Sequence, residues 1–194
     1  MLNDILLTIL LVVLNGFFVA AEFAIVKVRS SQIDVKIKSG SSRAKIAKSV
    51  IDNMDSYISA TQLGITLASL GLGWIGESVV TQIISGLFHA FGASVSAETV
   101  HSISFPIAFV FITILHIIFG ELIPKALAIR YALETSLSVS IPIKIFYTLF
   151  KPFIWSLNTF ANFLLRLMGV KLVLGLSLIH ISEPTRLRRI SYAV

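Results

Sequence analysis

From Leu2 to Val26 the chain is apolar apart from Asn3, Asp4, Asn15 and Glu22. A helix of roughly 20 such residues crosses the hydrocarbon core of a bilayer, so this run predicts a membrane span. Two further runs of comparable length follow, from Ser56 to about Ile84 and from Ile103 to Leu127. A fourth apolar region, Leu137–Met168, is interrupted by Pro142, Lys144, Lys151 and Pro152. Over its 194 residues the chain is 56% hydrophobic and only 13% charged, where a soluble domain carries roughly 25% charged residues. That is too little charge to cover a globule in water. The expected fold is therefore an all-α membrane protein.

The first run is not a cleavable leader. A signal peptide carries cations before its apolar stretch and a small-residue cleavage site after it. Here the amino end is acidic, and the first cations, Lys27 and Arg29, come after the apolar run. The chain contains no cysteine, which excludes disulfide frameworks, thiolate metal sites and cysteine nucleophiles.

Short loops rich in Lys and Arg mark the cytoplasmic side. Lys27, Arg29, Lys36, Lys38, Arg43, Lys45 and Lys48 lie between the first two spans, whereas the connection from Glu77 to Ser102 holds no Lys or Arg. After the third span come Lys125, Arg130, Lys144, Lys151, Arg166 and Lys171. This asymmetry predicts a plasma (inner) membrane protein with its N-terminus outside and its C-terminus cytoplasmic. The fourth region must then return to the side it left. A juxtamembrane belt on the cytoplasmic face, or a re-entrant hairpin, meets that requirement better than a further span. The expectation is three transmembrane helices plus such a region.

Leu176 to Val194 (LSLIHISEPTRLRRISYAV) changes character abruptly. It resembles an in-frame translation of a transposase-type sequencing adapter. Leu176–Arg186 would be the fixed part, Leu187–Arg189 the variable index and Ile190–Val194 the fixed sequence after it. The alternative is a natural basic amphipathic tail. On the adapter reading, residues 1–175 form one domain, the natural chain breaks off near Gly175, and the formal charge of +6 falls by two.

Polar residues recur on the apolar runs with helical spacing. Thr8, Asn15 and Glu22 are seven apart and share a face; Ser59, Gln62, Thr66, Ser69, Gly73 and Gly76 recur at intervals of three and four. Such stripes serve either as contact surfaces between membrane helices or as oxygen ligands. The third span ends in Phe119-Gly120-Glu121-Leu122-Ile123-Pro124-Lys125. Pro124 has no N–H for the carbonyl of Gly120, which loosens that turn. A freed carbonyl beside the Glu121 carboxylate gives two hard oxygens, the donor type that Mg²⁺ or Na⁺ takes. Intramembrane carboxylates are costly and mark functional sites. The candidate metal ligands are Glu121, Gly120, Ser69, Thr66, Gln62 and Glu22. The competing reading pairs Glu121 with Lys125 at i,i+4 and leaves Glu22 in the headgroup region near Lys27. His116 reads as a hydrogen-bonded structural histidine or as a ligand.

The chain has no glycine-rich phosphate loop, no HExxH and no nucleophile-elbow serine, so it is not expected to be an enzyme. The basic loop lies between two spans and so suits anionic lipid or a cytosolic partner domain rather than nucleic acid.

Three blocks, Asn15–Arg29 (NGFFVAAEFAIVKVR), Ser59–Glu77 (SATQLGITLASLGLGWIGE) and His116–Leu127 (HIIFGELIPKAL), carry a resemblance. They are similar to the CorC/CNNM (hemolysin-C-like) transmembrane domain family, formerly a domain of unknown function, and the likeness covers essentially residues 1–175. The FGExxPK core is its most specific part. The resemblance implies three spans with a belt helix, a homodimer, and Mg²⁺ transport or Mg²⁺/Co²⁺ resistance by efflux, with Na⁺ as a candidate coupling ion. It also implies an ion site centred on Glu121, and cytosolic CBS-pair and CorC-associated domains in a longer chain. Some members have a serine before the first-helix glutamate and asparagines in the second-helix motif. Here Ala21, Thr66 and Ser69 stand in those places, which implies a different oxygen set. The alternatives are a membrane-anchored ion-sensing or scaffold module that moves no ion, and the cytolysin of the older family name.

Overall fold

The computed structural model describes residues 2–90 and 97–169, and all of these are helical or in short turns. The helices are α1 (Leu2–Lys27), α2 (Ser30–Lys38), α3 (Ser42–Asp52), α4 (Met54–Ala90), α5 (Ala97–Leu115), a π-helix (His116–Leu122), α6 (Ile123–Arg130) and α7 (Ala132–Leu167). The tail 176–194, and with it the adapter reading, lies outside the described residues. The chain divides into two compact units, Met1–Ser156 and Leu157–Val194. In the second, the described residues are the last turns of α7, whose Leu157, Phe160, Phe163 and Leu167 are exposed. Everything below concerns the first unit.

Four helical segments, not the expected three, are long and apolar enough to cross a membrane by length and composition. They are Leu2–Lys27, Met54–Ile84, Ser104–Arg130 and Ala132–Leu167. The fourth arises because α7 runs uninterrupted through Pro142 and Pro152, which rules out the re-entrant hairpin. Proline removes a donor and can kink a helix without ending it when its ring clash is relieved. Breaking the region at its prolines misjudged that tolerance.

α1 sits centrally, packed on α4, on the π-helix and on α6, while α4 also carries α5. α1 and α4 are antiparallel and approach closely at small residues. A Cβ on Gly64 would lie 2.5 Å from the ring of Phe18, and one on Gly71 3.3 Å from Leu11. Gly16 serves α6 in the same way, since its Cβ would meet Pro124 Cγ at 2.9 Å and the Phe119 carbonyl at 3.1 Å.

The basic loop folds into two amphipathic helices. α2 ends at Gly40, whose φ of 88° is left-handed, the conformation glycine tolerates best. The Ser41 side chain then accepts from Ala44 N–H at 3.3 Å and starts α3. Ile33, Ala44 and Ala47 are buried together with Val28 against Ala132, Leu133 and Leu137 at the start of α7. Further along α7, Ile143 packs with Phe18, Ile25, Val50 and Tyr57, and Ile154 with Ala60 and Leu63. Phe146 meets Phe18 and Tyr147 meets Tyr57, each with ring centroids 4.7 Å apart. From Leu133 to Ile154 α7 advances roughly 30 Å, yet its partners on α1 (Phe17–Val28) and on α4 (Met54–Ile65) each span only roughly 16 Å. α7 therefore crosses those two helices obliquely, at their basic-loop ends.

Candidate cation site

Where α1, α4 and the third hydrophobic segment meet, the α-helical ladder gives way. The π-helix His116–Leu122 is closed by Ile123 N–H donating to the Ile118 carbonyl, five residues back. Widened turns of this kind recur at functional sites. Pro124, two residues beyond the π-helix, supplies no N–H to the preceding turn. The loosened turn expected from the proline is present, and it reaches further back than a freed carbonyl alone requires.

A hydrogen-bonded chain crosses the three segments at this level. Asn15, 1% exposed, donates from Nδ2 to the Gly120 carbonyl at 2.9 Å. Ser69 Oγ donates to Asn15 Oδ1 at 3.2 Å and lies 3.3 Å from His116 Nε2. A carbonyl can only accept, so the Asn15 amide nitrogen must face Gly120, and its oxygen must face Ser69. With the hydroxyl proton spent on Asn15, Ser69 accepts from His116, which places the imidazole proton on Nε2. Gly120 is buried, and any side chain there would collide with this chain: its Cβ would lie 2.8 Å from His116 Cδ2 and 2.9 Å from Asn15 Nδ2.

Of the six predicted ligands, the structure brings Gly120 and Ser69 together in this chain. Glu22 and Gln62 meet separately, through a side-chain hydrogen bond between α1 and α4. Thr66 is exposed and its Oγ1 bonds the Gln62 carbonyl of its own helix at 2.8 Å. Glu121 is exposed and forms no ion pair with Lys125, whose ammonium sits 4.5 Å from the Phe23 ring centroid. The widened turn shifts Glu121 and Lys125 out of the register that an i,i+4 pair needs. His116 is half-buried and hydrogen-bonded.

Sequence reasoning placed Asn15 on a polar face without giving it a task. Its partner lies 105 residues away, and the usable signal was the adjacency of Asn15 to Gly16, an amide beside a residue with no side chain. Thr8, on the same face, is buried and bonds the Asp4 carbonyl at 2.8 Å, one turn back in its own helix.

Beside Ser69 and His116, a cavity of about 290 Å³ opens between α4 and α5. Gly73, Phe105, Phe109 and Thr113 line it further on, with the hydroxyls and the imidazole as its polar groups. At roughly 30 Å³ per liquid water it has room for several waters. Among the described residues no group of three or more His, Cys, Asp or Glu is gathered. The oxygens on offer are one carboxylate, hydroxyls, an amide and a backbone carbonyl, the hard-donor type that suits Mg²⁺ rather than a softer metal.

The pattern of the Cyclin M transmembrane N-terminal domain matches residues 6–178. UPF0053 protein YrkA of Bacillus subtilis is 48% identical over 187 residues, covering 96% of this chain and 42% of that protein. UPF0053 protein YhdT of the same organism is 44% identical over 170 residues, covering 88% of this chain and 36% of that protein. The Mycobacterium tuberculosis uncharacterized protein Rv1841c is 31% identical over 170 residues, covering 88% of this chain and 48% of that protein. The chain thus spans less than half the length of these relatives. With its apolar helices and the family pattern matched along most of its length, it is a multi-pass membrane chain that belongs to the CorC/CNNM transmembrane domain family.

Proposed function

We propose that the chain is the membrane domain of a divalent-cation transporter with Mg²⁺ as its cargo. The observation that carries this reading is the bonded set Asn15–Gly120, Ser69–Asn15 and Ser69–His116 at a π-helical turn whose next residue is Glu121. The set holds a backbone carbonyl and a hydroxyl in place, each with a second lone pair, beside an ionisable group. Polar groups this expensive to bury in a bilayer serve ions or relays. Glu121, Thr66 and Gln62 are exposed at membrane depth on the single chain. A carboxylate cannot face lipid there without cost, which supports a second copy of the chain covering this side. Co²⁺ is a further candidate cargo and Na⁺ a candidate coupling ion.

The charge pattern supports an external N-terminus and a cytoplasmic basic loop. α7 then lies as a belt along the inner face. Crossing the bilayer would leave Lys144 about 18 Å along the helix from Ala132, near the centre of the core, at roughly 2.5–3.5 kcal/mol for its charge alone. The oblique path of α7 over the basic-loop ends of α1 and α4 points the same way. In this orientation the 290 Å³ cavity lies on the external side of Ser69 and His116, as an entrance or exit requires. The remaining length of the relatives leaves room for the cytosolic CBS-pair and CorC-associated domains that would regulate transport.

The test is Mg²⁺ flux into proteoliposomes loaded with a Mg²⁺-sensitive dye. Flux should exceed that of empty vesicles and fall to their level in Glu121→Gln. Mg²⁺ binding without flux would favour the membrane-anchored ion sensor, and neither binding nor flux would overturn the ion-handling reading.

A further inference from the structure

On the first unit, away from the cation site, α3 and α7 enclose a groove of about 750 Å³. Ile46 forms one wall, and Ile141, Ile145, Leu149 and Pro152 form the other, with Lys144 among them. Ile145 is 64% and Leu149 71% exposed, so this stripe of α7 has no cover from the chain. The spacing 141, 145, 149, 152 is one helical face. It differs from the face of Ile143, Phe146 and Ile154 that packs on α1 and α4. Each end of the apolar floor carries a cation: Lys45 precedes Ile46, and Lys151 precedes Pro152, both exposed. Neither these two nor Lys144 has a carboxylate partner. The ion pairs of the neighbouring segment instead join Lys48 to Asp34 and Asp52, at 3.3 and 3.7 Å.

An apolar trough edged by unneutralised lysines is complementary to one kind of molecule at a membrane surface: a phospholipid with an anionic headgroup. Its hydrocarbon covers the isoleucine and leucine side chains, and its phosphate and glycerol or serine headgroup meets the lysines. A zwitterionic lipid would satisfy the floor and leave the cations without neutralisation. We propose that the α3–α7 groove is a binding site for an anionic phospholipid of the inner leaflet, held by Lys45, Lys144 and Lys151. The site would tie the basic α2–α3 pair and the belt helix to one lipid and so hold α7 against the membrane. It rests on the placement of α7 along the inner face and is independent of which ion the chain handles.

Trp155 lies one turn beyond Pro152 on α7, and Trp74, on α4, is the other tryptophan. In a Trp74→Phe background, Trp155 becomes the sole fluorescent reporter. The chain is reconstituted into phosphatidylcholine vesicles containing a fixed fraction of acyl-brominated phosphatidylglycerol or, in parallel, of acyl-brominated phosphatidylcholine. Brominated phosphatidylglycerol should quench Trp155 with an apparent preference of about fivefold or more, the scale set by each interfacial lysine. Lys45→Gln with Lys144→Gln should abolish the preference, whereas Lys36→Gln with Lys38→Gln, on the exposed side of α2, should retain it. Equal quenching by the two lipids, or a preference lost in both double variants alike, would overturn the site in favour of diffuse surface charge. The placement of α7 is read independently, by labelling Lys144→Cys with an impermeant thiol reagent from the cytosolic side of inverted vesicles. Labelling without lipid preference overturns the groove alone. No labelling overturns the placement and the groove with it.

Discussion

Asn15 and Gly120, 105 residues apart, are joined by a buried 2.9 Å hydrogen bond from the Asn15 side-chain amide to the Gly120 carbonyl. The bond docks the π-helix onto α1 and fixes which way the Asn15 amide faces, and through it the hydroxyl of Ser69. Gly16 and Gly120 make the approach possible, since a Cβ on either would come within 3 Å of a neighbouring atom.

Asn15→Leu removes that donor and the acceptor for Ser69 while keeping a similar volume. It leaves a buried carbonyl and a hydroxyl without their partners, which costs roughly 1–3 kcal/mol for each unsatisfied group. Thermal unfolding in detergent should show a clear loss of stability. Ser69→Ala, which removes one hydroxyl and leaves Asn15 on Gly120, should cost less. Equal stability of Asn15→Leu and the parent chain would show that the bond does not hold the π-helix.

The α1–α4 contact makes a separate prediction. Phe18 is 3% exposed and wedged between Gly64 and the ring of Phe146, so it cannot yield to a new methyl group. Gly64→Ala should destabilise the fold by about 1–3 kcal/mol through overpacking. Gly73→Ala, where nothing lies within 4 Å of the added carbon, should be close to neutral. A Gly73 variant as damaging as the Gly64 variant would contradict the close packing of the two helices.

Orientation is tested most simply because the chain has no cysteine of its own. Ser41→Cys, between the two basic-loop helices, is expected in the cytosol. Gly86→Cys, near the end of α4 and with open space at its Cβ, is expected outside. An impermeant maleimide applied to intact cells should label position 86 and spare position 41. The opposite pattern would invert the topology.

What was legible in the sequence was the set of local quantities: apolar length, charge placement, and the proline that loosens the turn after Glu121. Those gave the extents of α1 and α4 within a few residues and the position of the irregular backbone. What was not legible depended on which surfaces meet. Periodicity put Ser59, Gln62, Thr66 and Ser69 on one stripe. Only Ser69 reaches the centre of the site, because the α4 residues buried against its neighbours are Ala60, Leu63, Ala68 and Leu72. The basic loop reads as polar sequence, yet Ile33, Ala44 and Ala47 find a partner in α7 and fold it into two helices. The unbroken course of α7 was missed because proline was taken to end a helix.

Glu121 provides the sharpest test of the site. The paired alternative required Lys125 as its counterion, and Lys125 instead lies over the ring of Phe23, 4.5 Å from the centroid. Cation–π contacts of this kind are worth roughly 0.5–2 kcal/mol, which gives Lys125 a structural task independent of the carboxylate. Glu121→Gln preserves size and hydrogen bonding and removes one negative charge. If the carboxylate is the group that balances a divalent cation among neutral oxygens, calorimetric Mg²⁺ titration in detergent should show affinity falling by more than tenfold, about 1.4 kcal/mol. Lys125→Gln removes a positive charge from the same turn region, so its Mg²⁺ affinity should be unchanged or slightly higher, with a modest loss of thermal stability from the vacated Phe23 ring. The two substitutions thus move affinity in opposite directions for a ligand, and in the same direction for an ion pair that merely props the helix end. Matching losses of affinity in the two variants would remove Glu121 from the site.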